Sequence, residues 1–346
     1  MPSLVNVAIH SSQFPENIRR DLIASLRTRQ VNHKFHYDSV KQTQKWLALH
    51  QAFSPSRTDP DCARTYDMSF AGAVRRIKAK HLHLIGLGCG GGQKDARLLK
   101  LLRAPGRQVS YTPSDVSAAM VLTARRAALK VISPENCLPL VCDLATARDL
   151  PAVLDHLAGH GPDSPSRITH SSRRSQTQAD HASRLFTFFG MIPNFEPQVI
   201  LPRLASLVRR GDTLLFSANL APGPDYAAGV RQILPLYDND VTRDWLLTFL
   251  FDLGVEKRDG RLRFVIEDTA SGLKRVAAYF RFTRRRTIAV GDEEFTFQSG
   301  ESIRLFFSYR HTPALVRKLL AQHKLLVLEE WITKSEEEGV FLCSRK

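Results

Sequence analysis

Apolar residues recur along this chain in two rhythms, and the switches between them divide it. Near the start, Pro15-Glu16 opens a stretch in which Ile18, Leu22, Ile23 and Leu26 fall at helical spacing. Proline sits there in the first turn, where its missing N–H costs nothing. A second helical pattern over residues 40–53 runs through Trp46, Leu47 and Leu49 and stops at the turn Ser54-Pro55-Ser56-Arg57. A third helix is expected over residues 66–80. From residue 81 short apolar runs alternate with longer amphipathic ones, the βαβ rhythm of a parallel sheet covered by helices on both faces. Strands are expected over 81–86, 108–112, 138–142, 185–189 and 213–219, and helices over 93–102, 117–128, 148–157 and 197–208. Residues 159–183 interrupt this rhythm: they are polar, rich in serine and without a period, which predicts a mobile surface loop.

Beyond Ala221-Pro222-Gly223-Pro224 the pattern changes to helices over 226–236 and 242–253, followed by alternating strands over 262–267, 276–282 and 294–298. That is the signature of a second, α+β lobe. The tail returns to α/β character, with strands over 303–309, 325–331 and 340–344 and a helix over 313–323.

Composition narrows the class. The 346 residues are 43% apolar, enough for one large core or two smaller ones. The longest apolar runs, around 185–189 and 245–251, fall far short of the roughly 20 residues that span a bilayer, so no membrane partner is expected. The opening MPSLVNVAIHSSQFPEN lacks the basic start, apolar stretch and small-residue cleavage site of a secretory signal, which predicts residence in the cytosol. Five scattered cysteines form no CxxC pair with histidines, so reduced, mostly buried thiols are expected and no metal site. The charge of +15 would suit nucleic acid, a membrane surface or an acidic ligand. Its basic patches, at 75–80, 167–174 and 284–286, have no RNP-type aromatic motif beside them and read as solvated surface, which makes nucleic acid a less favoured partner without excluding it.

The sharpest local signal is His83-Leu84-Ile85-Gly86-Leu87-Gly88-Cys89-Gly90-Gly91-Gly92, a strand that runs into glycines and then a helix. Such a turn lets backbone N–H groups approach a ligand at a helix N-terminus. Gly86, Gly88 and Gly91 fit the dinucleotide GxGxxG, and Gly86, Gly88 and Gly90 equally fit the GxGxG of methyltransferases. Asp115, at the end of the next strand, stands where the ribose hydroxyls of either cofactor would sit. Asp143, after the third strand, occupies the place where methyltransferases hold the adenine amino group, which favours S-adenosylmethionine. The plainer alternative is that both acids merely cap helices.

Taken together these residues resemble the S-adenosylmethionine-dependent histidine Nα-methyltransferases of ergothioneine biosynthesis, with their fungal relatives that N-methylate prenylated tryptophan. Lys34-Phe35-His36-Tyr37-Asp38 looks like the family's K-x-F-Y-D, and Phe53-Ser54-Pro55-Ser56-Arg57 like its Y-Y-P-T-R. Tyr111-Thr112-Pro113-Ser114-Asp115-Val116-Ser117 resembles Y-x-P-x-D-V-S. Phe188-Phe189-Gly190-Met191-Ile192-Pro193-Asn194-Phe195-Glu196-Pro197 is similar to F-L-G-S-T-I-G-N-F-x-P, a string that general methyltransferases lack. Leu236-Tyr237-Asp238, Ser308-Tyr309-Arg310-His311-Thr312 and Trp331 look like the family's A-Y-D, S-C-K-Y-T and a late tryptophan.

The resemblance implies a Rossmann-like class I methyltransferase domain at 61–222 and 311–346, with a second α+β substrate-binding lobe at 1–60 and 223–310. It places Tyr37, Gly86, Lys94, Asp115 and Asp143 around the cofactor, joined by Gly88 and Gly90 of the turn. It gives the substrate Phe53, Gly190, Asn194, Tyr237, Phe306 and Ser308. Asn194 and Tyr237 would hold the substrate's carboxylate and amine, with Tyr237 the candidate to take the amine's proton. Methyl transfer from a sulfonium, which leaves S-adenosylhomocysteine, needs alignment in a dry pocket and no metal. Aromatic faces such as Tyr37 or Phe53 favour the sulfonium by about 1 kcal/mol each.

Several departures redirect the expected substrate. Val40-Lys41-Gln42 replaces a Gly-Ser pair, Leu84 stands where an acid usually precedes the first glycine by two residues, and the Asn194 loop is one residue shorter. Two residues before Ser308, histidine-specific members carry a glutamate that pairs with imidazole, whereas this chain has Phe306. A ring cannot accept that hydrogen bond, which predicts a small-molecule amine other than histidine, an aromatic or otherwise apolar amino acid or derivative. The competing readings are an RNA or protein methyltransferase using the basic surface, a nicotinamide-dependent oxidoreductase, and a relative that binds cofactor without turnover. Oligomeric state, the exact amine and the number of methyl groups transferred are not written in the sequence.

Overall fold

In a computed structural model the described residues are 4–159 and 183–346, so the predicted serine-rich loop, apart from its two ends, and the arginines at 167–174 lie outside them. The chain opens with a two-residue strand β1 (Ala8–Ile9) and four helices, α1 (Pro15–Thr28), α2 (Val40–Phe53), α3 (Pro55–Thr58) and α4 (Pro60–Arg76). The α/β rhythm follows as β2 (His81–Leu87), α5 (Gln93–Leu102), β3 (Gln108–Asp115), α6 (Ala118–Ala128), β4 (Leu140–Val141), α7 (Leu150–Gly159), β5 (Ser183–Phe188), α8 (Pro197–Leu207) and β6 (Thr213–Asn219). Helices α9 (Tyr226–Ile233) and α10 (Asp240–Asp252) lead into strands β7 (Gly260–Asp268), β8 (Lys274–Phe282), β9 (Arg286–Val290), β10 (Glu293–Phe297) and β11 (Ser302–Arg310). The chain returns through α11 (Pro313–Gln322), β12 (Leu325–Ile332) and β13 (Glu338–Arg345).

The main sheet has the order β1-β4-β3-β2-β5-β6-β13-β12. Pairing is parallel from β1 through β6, and β13 inserts antiparallel between β6 and β12. This is the Rossmann-like α/β sheet expected from the sequence, and its order reverses between β2 and β5, the switch point outside whose carboxyl ends ligands bind. Strand residues alternate between two cores because successive side chains face opposite ways. Ile85, Leu87, Phe186, Phe188 and Phe341 join α7, α8 and α11 on one side. Leu82, Leu84, Leu185, Val340 and Leu342 meet α4 and α5 on the other.

A separate three-stranded antiparallel sheet, β11-β8-β7, and the β9-β10 hairpin form a third core with α1 and α10. Phe280, Phe282, Phe297 and Ile303 fill it from the strands, and Leu26, Leu246 and Leu250 from the helices. Three details differ from the sequence expectation. Helix α4 starts at Pro60, six residues early, because Asp59 caps it by accepting from the Asp61 N–H and Pro60 takes the first helical position. The SPSR segment is helical rather than a bare turn, as α3. Strands β1 and β9 had no signal, the first because two residues show no period. All five cysteines are unpaired, and four are buried. Among the described residues no helix is long and apolar enough to cross a membrane.

Candidate functional site

A cavity of about 370 Å3 lies at the switch point, walled by the ends of β2, β3 and β5, the glycine turn, α2 and the segment after β5. The turn exists because Gly88, Gly90 and Gly92 all take positive φ, a conformation that costs other residues roughly 1–2 kcal/mol. Its shape is held by Cys89 N–H donating to the Ser114 carbonyl at 2.9 Å and by Gly90 N–H donating to Asp115 Oδ2 at 3.1 Å. Asp115 Oδ1 accepts from the Ser117 N–H. Burial pushes the Asp115 carboxyl up to about 6, against the pull of those N–H groups.

Beneath the turn, Asp95 is almost fully buried and lines the cavity. Its carboxylate accepts from Tyr111 at 2.6 Å and from Thr187 at 2.8 Å. The bare Cα of Gly86 makes room for it, since a Cβ there would stand 2.3 Å from Asp95 Oδ2. Next to it, Lys94 donates to the Tyr66 hydroxyl at 2.8 Å and lies over that ring at 4.0 Å. Tyr66 in turn donates to Glu338 of β13 at 2.5 Å, and burial lowers the Lys94 ammonium. Ser217 of β6 accepts from the Gly190 N–H at 2.8 Å, which fixes the start of the loop that carries Asn194.

The opposite wall is aromatic. Trp46 and His50, one turn apart on α2, stack at 4.8 Å, and Tyr37 meets Trp46 edge-on at 5.9 Å. Trp46 covers the turn, 3.2 Å from where a Gly90 Cβ would be. Burial, then the nearby Asp115 carboxylate, pushes the Tyr37 hydroxyl up, so it stays a neutral phenol. From Tyr37 a chain of rings leads away from the cavity: Trp245 at 5.6 Å, then Phe306 at 5.9 Å, then Tyr237 at 6.1 Å. There the Tyr237 hydroxyl shares a 2.7 Å hydrogen bond with Ser308 Oγ and accepts from Arg310 at 2.9 Å.

Thus Tyr37, Gly88, Gly90, Lys94, Asp115, Gly190 and Asn194 line one cavity. Tyr237, Phe306 and Ser308 form a second cluster joined to it through rings, and Asn194 bridges the two by donating to the Phe307 carbonyl at 2.8 Å. Asp143 lies between two cavity residues, Cys142 and Leu144, but its carboxylate is buried 3.7 Å from the buried Lys34 ammonium. Its Oδ2 has no hydrogen-bond partner. Phe53, at the end of α2, is 50% exposed, and Ser56 and Arg57 of α3 line the cavity in its neighbourhood. Sequence reasoning did not single out Asp95, Trp46, His50 or Met191. The first adjoins Lys94 and the next two are spaced i, i+4 on a helix already expected, so a signal existed for these three.

The residues fit S-adenosylmethionine. A glycine turn at a helix start, a carboxylate at the end of β3, an orphaned buried carboxylate oxygen after β4 and an aromatic wall are what its ribose, adenine and sulfonium require. Part of two basic patches is engaged in ion pairs: Arg284 and Arg286 with the buried Asp259, and Arg76 with Glu329 at 2.7 Å.

The family comparison agrees with that fit. A family model described as histidine-specific methyltransferase, SAM-dependent, matches residues 18–345. No curated protein matches. Among solved structures, an S-adenosylmethionine-dependent methyltransferase from Clostridium acetobutylicum is 12% identical, covering 87% of this chain and 98% of its own, with a TM-score of 0.41. Magnesium protoporphyrin IX methyltransferase from Synechocystis, with bound S-adenosylhomocysteine, is 14% identical, covers 90% and 96%, and has a TM-score of 0.43.

Proposed function

Because this chain belongs to the family of histidine-specific, S-adenosylmethionine-dependent methyltransferases, we propose that it methylates the amine of an aromatic or otherwise apolar amino acid or derivative rather than histidine. The observation that carries this is Phe306. It sits two residues before Ser308 on the same face of β11, with its ring against Tyr237 and Trp245. An imidazole placed there would meet rings, not an acceptor, whereas an apolar side chain would meet a matching wall.

S-adenosylmethionine supplies an electrophilic methyl group on a sulfonium. Asp115 would hold its ribose, Lys94 its carboxylate, and Asp143, released in part from Lys34, its adenine. Tyr37 and Trp46 offer ring faces to the positive charge, each worth about 1 kcal/mol. Asn194 already spends an N–H on the Phe307 carbonyl, which holds its amide in one orientation and leaves its oxygen to accept from the substrate. Tyr237 is held by Ser308 and Arg310, and it remains the candidate to take the amine's proton. The cofactor domain is taken as 61–222 and 311–346, and the substrate lobe as 1–60 and 223–310, except that β1 (Ala8–Ile9) pairs with β4 and so belongs to the cofactor domain's sheet.

The test is a mass-spectrometric assay with S-adenosylmethionine against histidine, tryptophan, tyrosine, phenylalanine, their decarboxylated amines and bulk RNA. One aromatic amino acid should gain methyl groups, and Asn194→Ala or Tyr237→Phe should lower kcat/KM by roughly 100-fold or more. Phe306→Glu should shift preference toward histidine by about 10-fold. Labelling of RNA alone, or labelling indifferent to Asn194 and Tyr237, would sink the proposal.

A further inference from the structure

S-adenosylmethionine ends in a zwitterion, so its site must offer a cation to a carboxylate and an anion to an ammonium. The described cavity lining holds two carboxylates, Asp115 and Asp95. Asp115 stands at the end of β3, where the ribose hydroxyls are expected, and it already receives the Gly90 and Ser117 N–H groups. Asp95 stands on the other side of the turn, next in sequence to Lys94, at the start of α5. One turn of helix thus presents an ammonium and a carboxylate side by side.

Strand β2 does not supply this acid. In its place stands Leu84, buried in the core and paired in register with Tyr111 of β3. The Tyr111 hydroxyl reaches up from that position and donates to Asp95 at 2.6 Å, while Thr187 of β5 donates at 2.8 Å. Three strands and a helix therefore converge to hold one carboxylate at the cavity wall, and Gly86 is a glycine because a Cβ would collide with it. Burial raises the Asp95 carboxyl, the hydroxyls of Tyr111 and Thr187 and the neighbouring Lys94 charge pull it back, and its two hydrogen-bond partners are both neutral hydroxyls. Lys94 acts on this carboxylate only through space, so a ligand ammonium at the cavity wall would be its first directly bonded cation.

We propose that Asp95 is the anion that binds the α-ammonium of the cofactor's methionyl end, with Tyr111 and Thr187 as its positioning residues. This rests on the cofactor and not on the identity of the amine substrate. The test is a calorimetric cycle on the whole chain with three probes: S-adenosylhomocysteine, its desamino analogue, and 5′-methylthioadenosine, which lacks the methionyl end. In the parent protein, loss of the ammonium should weaken binding roughly 10- to 100-fold. Asp95→Asn should weaken S-adenosylhomocysteine by a similar factor, bind it and the desamino analogue alike, and leave 5′-methylthioadenosine within about threefold. Equal losses for all three probes would show a merely structural role and overturn the proposal. So would a desamino analogue that binds the parent as well as S-adenosylhomocysteine does. Should Asp95→Asn fail to melt cooperatively, Asp95→Ser, which keeps a polar atom toward Tyr111, runs the same cycle with the same criteria.

Discussion

Gly88 shows how much one methyl group can decide at this site. Its φ is +65°, and a Cβ would stand 2.4 Å from the sulfur of Met191. Gly88→Ala should therefore cost roughly 1–2 kcal/mol from the left-handed backbone, and about 1 kcal/mol or less from crowding, because the flexible end of Met191 can give way. Adding Met191→Ala should recover the crowding part alone, which thermal melts of the two variants would show. A melt that Met191→Ala restores fully would mean that the backbone conformation relaxes at no cost. At this scale the sequence was legible where chemistry follows from local order. The glycines lie in one short stretch of strand, turn and helix with Asp115 at the end of the next strand, and that order pointed to a cofactor, whereas Lys94 came from the family resemblance. The purpose of Gly86 was not legible, because the Asp95 that fills its missing Cβ comes from a neighbouring helix and is held by two other strands. Likewise nothing in the order of residues says that Trp46 lies over Gly90, or that Lys34 reaches Asp143.

Among the elements, helices with a continuous apolar stripe were readable almost to the residue: α2 and α5 occupy the very spans that their periodicity marks. The opening of α4 was missed because its first turn, Pro60-Asp61-Cys62-Ala63, has one buried side chain and takes its definition from the Asp59 cap. This helix carries a second dependence that periodicity cannot show. Gly72 faces Trp331 of β12, with a Cβ position 2.5 Å from the indole ring. Gly72→Ala should lower the urea midpoint by the equivalent of about 1–3 kcal/mol, although alanine is the better helix former. If the helix propensity gain outweighs the clash and the midpoint rises, then α4 is free to move away from β12.

The molecule as a whole should be acid-sensitive in a defined window. His36, His83 and His311 are buried, and burial depresses each from 6.5 to about 4. Below 6.5 the unfolded chain takes up protons at these sites, and the folded chain does not until about 4. Their contribution is thus complete above pH 6.5 and is lost as pH falls toward 4, by about 3 kcal/mol each. Asp115, raised to about 6, offsets roughly one of the three, and Asp95 and Asp38, also raised by burial, act in the same sense, while His50, lowered to about 3, adds to the loss. The net loss, several kcal/mol, is comparable with a typical total stability of about 5–15 kcal/mol. Denaturant midpoints should fall steeply between pH 6 and 4.5, and a flat profile there would contradict the burial of these rings.

The placement of β13 has a bearing on how the protein is made. This strand lies inside the sheet, hydrogen-bonded to β6 on one side and β12 on the other, and its Glu338 receives the Tyr66 hydroxyl that supports Lys94. A nascent chain still held in the ribosome short of residue 345 has every glycine of the turn and both cavity carboxylates, yet lacks the strand that braces its lysine. Competence to take the methyl donor should therefore wait until β13 has emerged and paired, after a long interval in which β6 offers an open edge to chaperones.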